Sequence, residues 1–243
     1  MSTLSFKRIE KKYLVNAAQR EILERTFLEH MKYDKVCQNH QAYSVRNIYF
    51  DTIENEMISI SVQKPKYKQK LRARKYEGME TCFLEIKKKV DGVVGKRRVI
   101  LTEKELVDFV SNGIKPVREK YIDKMVIEEI AYVLKFFNLK PYAFVGCYRL
   151  GFVDLENPEF RITFDEKVHA RKTDKLNWEM NDSSDEELLP EGTYIMEIKH
   201  SSNYPLWLCK VLSDNKIYPR SFSKIGTHYE KQLYKRKLGI VEK

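Results

Sequence analysis

From Phe6 to His200 the chain repeatedly alternates a charged residue with an apolar one, and no other feature limits its fold so tightly. Side chains two apart share one face of a strand, so this alternation predicts strands with one packed and one charged face. Phe6 to Val15 places Arg8, Glu10 and Lys12 on one face; Tyr67 to Tyr76 places Lys70, Arg72 and Arg74 opposite Leu71 and Ala73. Thr81 to Val90 carries Glu85, Lys87 and Lys89 together, and Val93 to Leu101 returns with Lys96 and Arg98 after the hairpin dipeptide Asp91-Gly92. Tyr43 to Asp51, Ala143 to Val153, Phe160 to Ala170 and Thr193 to His200 complete eight predicted strands. Helices are predicted between them. Asn16 with Gln19 and Thr102 with Glu105 form capping boxes, opening helices that run to about Met31 and to Asn112-Gly113. Further helices are expected at Ile127 to Phe137, from Pro205, and at Ser223 to Lys237, with Asn181 to Glu191 an acidic loop. No composition break divides the chain, so one α+β domain is expected over residues 1–243.

Charge bookkeeping gives the alternation a second meaning. The sequence has 45 Lys and Arg against 35 Asp and Glu, a formal net charge of +10. The repeated charged faces hold Arg8, Lys12, Lys70, Arg72, Arg74, Lys87, Lys89, Lys96, Arg98, Arg149, Arg161 and Lys199, joined by Lys224 from the tail. Those thirteen cations face three carboxylates, Glu10, Glu85 and Glu197, with Asp165 set aside as a strand-end residue. The difference equals the net charge of +10, so the surplus can be assigned to one face of one sheet and the exterior is neutral. The opposite faces are apolar enough to pack under helices. An eight-stranded sheet curled into a barrel encloses one slender ligand. Unpaired cations are not stable in a dry interior, so such a barrel must be wet and hold anions. A phosphate chain suits it better than a duplex, and a neutral exterior argues against nucleic-acid binding.

Other classes fall away on composition. No stretch reaches the length of a membrane span, and Met1 to Arg8 lacks the apolar core of a secretory leader. Cys37, Cys82, Cys147 and Cys209 are widely spaced, which predicts a reduced, cytoplasmic protein without a zinc site.

The order of motifs resembles a known family. Arg8-Ile-Glu-Lys-Lys-Tyr13, Asn47-Ile-Tyr-Phe-Asp-Thr52, Lys70-Leu-Arg-Ala-Arg74, Phe83-Leu-Glu-Ile-Lys87 and Lys96-Arg-Arg98 are followed by Tyr148-Arg-Leu-Gly-Phe152, Arg161-Ile-Thr-Phe-Asp165, Met196-Glu-Ile-Lys199 and Ser221-Phe-Ser-Lys224. This series is similar to the VTC domain, the catalytic domain of polyphosphate polymerases in the triphosphate tunnel metalloenzyme (CYTH-like) superfamily. The resemblance implies an eight-stranded antiparallel β-barrel with flanking helices, in which the γ-phosphoryl group of ATP passes to a growing polyphosphate chain. It implies catalytic roles for Lys12, Arg72, Arg74, Lys87, Arg149, Arg161 and Lys224, and phosphate contacts from Lys96 and Ser223. It also implies a divalent metal, Mn²⁺ or Mg²⁺, held by Glu197. The shared strand faces add Arg8, Lys70, Lys89, Arg98 and Lys199 as substrate-binding cations. Glu10 and Glu85 read as ion-pair partners before metal ligands.

Two departures shape the expectation. Hydrolytic members of the superfamily begin E-x-E-x-K, whereas here the first Glu is replaced by Arg8, which disfavours a second metal and tilts the reading from triphosphatase to polymerase. The aromatic hydroxyl of the family, two residues before Arg149, is Cys147 here, with Tyr148 expected to face outward. A triphosphatase and a non-catalytic polyphosphate- or nucleotide-binding module stand as alternatives. His40, His169, His200 and His228 read as structural, and Cys147 as a small filler rather than a nucleophile. The basic last helix, with Lys231, Lys235, Arg236 and Lys237, reads as a solvated face that could also meet an anionic membrane, a membrane partner or emerging polyphosphate. Oligomeric state is left open by the sequence.

Overall fold

The computed structural model describes residues 9–37, 40–91, 93–181, 183–201 and 203–240. Its elements are β1 (Ile9–Asn16), α1 (Ala17–His30), β2 (Met31–Tyr33), β3 (Tyr43–Asp51), α2 (Glu56–Val62), β4 (Tyr67–Tyr76), β5 (Thr81–Val90), β6 (Val93–Thr102), α3 (Glu103–Asn112), α4 (Tyr121–Phe136), β7 (Lys140–Asp154), β8 (Arg161–Lys172), β9 (Glu186–Glu187), β10 (Thr193–His200), α5 (Leu206–Asp214) and α6 (Lys224–Lys237). The eight long strands are the eight predicted, in the antiparallel order β1-β10-β8-β7-β3-β4-β5-β6; β2 extends the sheet beside β7 and β9 beside β8. Both capping boxes are formed, by Asn16 with Gln19 and by Thr102 with Glu105.

The sheet is a curled half-barrel. Among the described residues β1 and β6 share no ladder, so the barrel expected from sequence is not closed by backbone hydrogen bonds. The outer face packs under helices in two clusters. Tyr13, Phe152, Ile162, Phe164 and Ile198 meet Leu23 and Phe27 of α1 and Leu208 of α5. Leu71, Leu84, Ile86 and Val99 meet Leu106 and Phe109 of α3 and Ile127 and Ile130 of α4. A third cluster lies on the inner side: Val45, Tyr49, Cys147 and Ile195 pack against Ile58 of α2 and Ile225 and Tyr229 of α6. Apolar contacts thus seat α2 and α6 against part of the concave face and leave the rest polar.

Three segments differ from the sequence expectation. α2 falls where no helix was expected. α4 begins at Tyr121, six residues before the predicted start, because Tyr121 is exposed and its first turn shows no apolar periodicity. The acidic loop contains β9, which pairs with β8; Asp185, just before it, is buried and accepts from the Arg171 guanidinium at 2.8 Å. Among the described residues no helix is long and apolar enough to cross a membrane.

Candidate functional site

Strand register brings most of the predicted cations onto the concave face. On β4 and β5, Lys70 stands opposite Lys87 and Arg72 opposite Glu85; on β5 and β6, Lys87 stands opposite Lys96 and Glu85 opposite Arg98. Across the sheet Lys12 faces Glu197, Glu10 faces Lys199, Lys199 faces Arg161, and Arg149 faces Asp165. Arg8 lies outside the described residues.

The cations gather around buried carboxylates. Glu85 accepts from Arg72 Nε at 2.8 Å and pairs with Lys96 at 2.6 Å. Burial raises its carboxyl, but Arg72, Arg74 and Lys96 outweigh this and hold it far below the ordinary carboxylate range. Asp165 receives a two-pronged contact from Arg149, at 2.6 and 2.8 Å, and another from Lys224 Nζ at 2.5 Å. It sits inside β8 with 1% of its surface exposed, so its earlier placing at a strand end is corrected. Four carboxylates therefore share the face with the cations. Glu197 pairs with Lys199 at 2.5 Å and Lys12 at 3.7 Å. Burial raises its carboxyl, but Lys199, Lys12 and Arg149 hold it well below its ordinary value.

The connection between α5 and α6 completes the wall. Arg220 N donates to Lys12 O at 2.7 Å, Lys12 Nζ to Phe222 O at 3.2 Å, and Lys70 Nζ to Ser223 Oγ at 3.2 Å. Ser223 also caps α6, accepting from Gly226 N, which places the positive end of that helix beside Lys70 and Lys224. Lys87 on β5, next to the edge strand β6, reaches Glu10 on the opposite edge strand β1 at 3.8 Å. Burial, with Lys68, Lys87 and Lys12, lowers the Lys70 ammonium to about 8. Burial, with Arg72 and Arg74, likewise lowers Lys96 to about 8 against the pull of Glu85.

Not every predicted residue joins this cluster. Arg161 is half exposed at one end, donating to Pro158 O at 3.0 Å with Asp34 at 3.8 Å. Arg98 lies 4.6 Å over the Phe83 ring. Arg74 donates to Asn47 Oδ1 at 2.7 Å and to the Tyr76 hydroxyl at 3.3 Å. Three concave-face residues were not singled out from sequence: Asn47, Tyr76 and Tyr49, whose hydroxyl accepts from Arg72 at 3.2 Å. Burial raises the Tyr49 phenol, but Arg72, Arg74 and Lys70 bring it down to about 8. The signal for all three was their even spacing along β3 and β4, which reads equally as core when the residue is aromatic. Cys147 faces inward, 3.0 Å from Lys224 Nζ, and Tyr148 lies on the opposite face beside Lys167.

Among the described residues no three His, Cys, Asp or Glu side chains cluster into an all-protein metal site. Glu85 and Asp165 are each saturated by two basic groups. Glu10 and Glu197, on neighbouring strands, are held less evenly: Glu10 meets Lys12 and Lys87 only at 3.8 Å, and Glu197, besides Lys199 at 2.5 Å, shares Lys12 at 3.7 Å. One or two carboxylates completed by phosphate oxygens is the way Mg²⁺ and Mn²⁺ are held, so Glu197 with Glu10 fits such an ion.

Comparison with known proteins decides the family. The VTC domain model matches residues 7–232. This chain belongs to the VTC domain family. No curated protein sequence matches it significantly. Among solved structures, a candidate adenylyl cyclase of Hippeastrum, described as having a dominant triphosphatase activity, superposes with a TM-score of 0.58 at 15% identity, covering 92% of this chain and 96% of that one. A candidate adenylate cyclase of Bacillus halodurans gives a TM-score of 0.52 at 15% identity, covering 90% and 96%. At that identity both show the fold alone: the VTC chain has the triphosphate tunnel fold. That fold family implies dependence on a divalent cation.

Proposed function

We propose that this VTC domain is a polyphosphate polymerase that transfers the γ-phosphoryl group of ATP to an inorganic polyphosphate chain. The observation that carries the reading is the charge balance of the concave face. Twelve of the thirteen cations predicted for that face are described, from Lys12 to Lys224, and they face four carboxylates, Glu10, Glu85, Asp165 and Glu197. The surplus exceeds the roughly four negative charges of a bound ATP, leaving cations for a second anion, the acceptor chain. Arg72 and Arg149, oriented by Glu85 and Asp165, present planar donors to phosphate oxygens. Lys12, Lys87, Lys96 and Lys224 supply charge around them, with Ser223 and the α6 N-terminus. These groups position and neutralise, which is what phosphoryl transfer asks of a protein. Glu197 would hold a divalent ion, which when bound would help neutralise the phosphate charge.

Hydrolysis of a triphosphate in the same tunnel is the second reading. It is supported by Glu10 beside Glu197 and by the triphosphatase activity described for the Hippeastrum relative. One incubation separates the two. With ATP and Mn²⁺, long polyphosphate is expected to exceed free phosphate; phosphate alone would favour the hydrolase. Glu197→Gln should lower metal-dependent turnover about a hundredfold or more while keeping ATP binding. Unchanged turnover would remove Glu197 from the mechanism.

A further inference from the structure

The carboxylates of the concave face are not spread along its whole length. Beyond Lys70 and Lys87, the register next opposes Lys68 to Lys89, so two consecutive cross-strand pairs set lysine against lysine. Like charges directly opposite destabilise a sheet unless something lies between them. Arg72, Lys96, Arg149, Lys199 and Lys224 each have a carboxylate within 2.8 Å. Lys87 has Glu10 at 3.8 Å, whereas among the described residues Lys68 and Lys89 have no ion-pair partner, and Lys68 donates only to Ser61 O at 3.2 Å.

The neighbouring lysine on the other face gives the contrast. Lys88 points outward and is answered by Glu129 at 2.7 Å, which also takes Arg97 at 2.9 Å. The same two strands thus neutralise their outer lysine and leave the inner one open. Lys64, after the C-terminal end of α2, is electrostatically coupled to Lys68: burial, Lys89 and Lys64 together lower the Lys68 ammonium. The basic residues of α6 offer less, because Lys231 already donates to Glu187 O and Lys235 pairs with Glu186 at 3.1 Å. Along the strands, Lys68 and Lys89 stand at the opposite end from Arg161 and Asp34.

We infer that Lys64, Lys68 and Lys89 form a binding strip for the part of a linear polyphosphate chain that extends beyond the triphosphate site, so that the chain leaves the tunnel between α2 and the β5–β6 hairpin. The inference rests on the polyphosphate reading of the tunnel. A linear polyphosphate carries closely spaced charges, which suits ammonium groups on adjacent residues of paired strands without any base or sugar contact.

The test compares tripolyphosphate with a size-fractionated linear polyphosphate several times longer, by calorimetric titration of the whole chain. The wild type should bind the longer polymer more tightly. Lys64→Gln combined with Lys68→Gln should weaken it about tenfold, flatten its salt dependence, and change tripolyphosphate affinity less than about twofold. The paired Arg variant at the same positions should restore long-chain affinity. Equal losses on both ligands, or no loss on the long one, would overturn the strip while leaving the tunnel reading intact. A wild type that binds neither phosphate overturns both. An oligonucleotide of matching charge that binds as tightly as polyphosphate would overturn the assignment of the ligand.

Discussion

Three side chains on the concave face titrate far from their usual range, and they make the tunnel respond to pH in two opposite ways. Lys70 and Lys96 are lowered from 10.5 to about 8, burial being the first cause, and Tyr49 is lowered from 10.0 to about 8 by Arg72, Arg74 and Lys70 acting against burial. Above about pH 8 the folded protein sheds these protons while the unfolded chain keeps them. Stability rises with pH wherever the unfolded state binds more protons, so the ligand-free protein should gain stability between about pH 8 and 10. Anion binding moves the other way, since two cations are lost and one phenolate appears. Tripolyphosphate affinity is therefore expected to fall across the same window, and Lys70→Arg should flatten that fall. Thermal unfolding without ligand and titration with ligand, on one pH series, check both signs; parallel trends would contradict the account. At this scale the sequence was most legible where parity alone decides direction, as for Arg72, Arg74, Lys87 and Glu197. Asp165 was misjudged against the alternation itself: the strand expected from Phe160 to Ala170 already gives it the parity of Arg161, so it should not have been set aside as a strand-end residue. In the structure the inward parity runs through Thr163 to Asp165, and the register with β7 then shifts between Gly146 and Tyr148 near Lys167, whose φ is +44°. A bulge of that kind changes which later residues face inward and cannot be read from alternation.

Between single residues and the whole sheet stands α2, the element the sequence concealed. Its residues Met57-Ile-Ser-Ile-Ser-Val62 include β-branched and hydroxyl side chains, and they resemble a strand more than a helix. The helix is held from outside instead. Asn55, just before it, has φ +62° and offers no side-chain cap, while Asp51 at the end of β3 accepts from Thr52 N, Met57 N and Ile58 N at 2.8 to 2.9 Å. Three otherwise unpaired amide groups are thus satisfied by one buried carboxylate. Asp51→Ala should destabilise the protein by about 1–3 kcal/mol, seen as a lower unfolding midpoint in denaturant with an unchanged slope. Because α2 packs against α6, the same change is expected to loosen Ser223 and Lys224 and weaken tripolyphosphate binding. The contact between these helices is close: a Cβ on Gly226 would lie 3.1 Å from Ser223 Oγ and 3.4 Å from Val62 Cγ1. Full stability in the Asp51 variant would mean that α2 is held by its apolar face alone. The capping boxes at Asn16 and Thr102 were legible because their partners are three residues away. The Asp51 cap spans a turn with no such signature.

For the molecule as a whole, the seam between the two ends of the sheet is the feature with the largest consequence. Among the described residues β1 and β6 share no ladder, and the gap is bridged by Lys87 with Glu10 and by the connection before α6, through Arg220, Phe222 and Ser223. The family's motif order announced the tunnel fold, but motif order says nothing of whether a barrel closes through backbone or through side chains. A seam made of single contacts opens more easily than the central ladders of β3, which pairs nine residues with β7 and six with β4. A phosphate chain in the tunnel touches both edges at once, because Lys12 and Lys70 lie on either side of the bridging segment. Ligand should therefore tie the seam together rather than stiffen the sheet evenly. In native-state hydrogen exchange, the amides of β1 and of residues 220–224 are expected to exchange faster than those of β3 and β7 without ligand. Tripolyphosphate should slow the first group selectively. At a hundredfold excess over its dissociation constant it should also add about 2.7 kcal/mol to global stability, with the protection fading as salt rises. Uniform protection across all strands, or protection absent from β1, would show that the seam is as tight as the central ladders and that the ligand closes nothing.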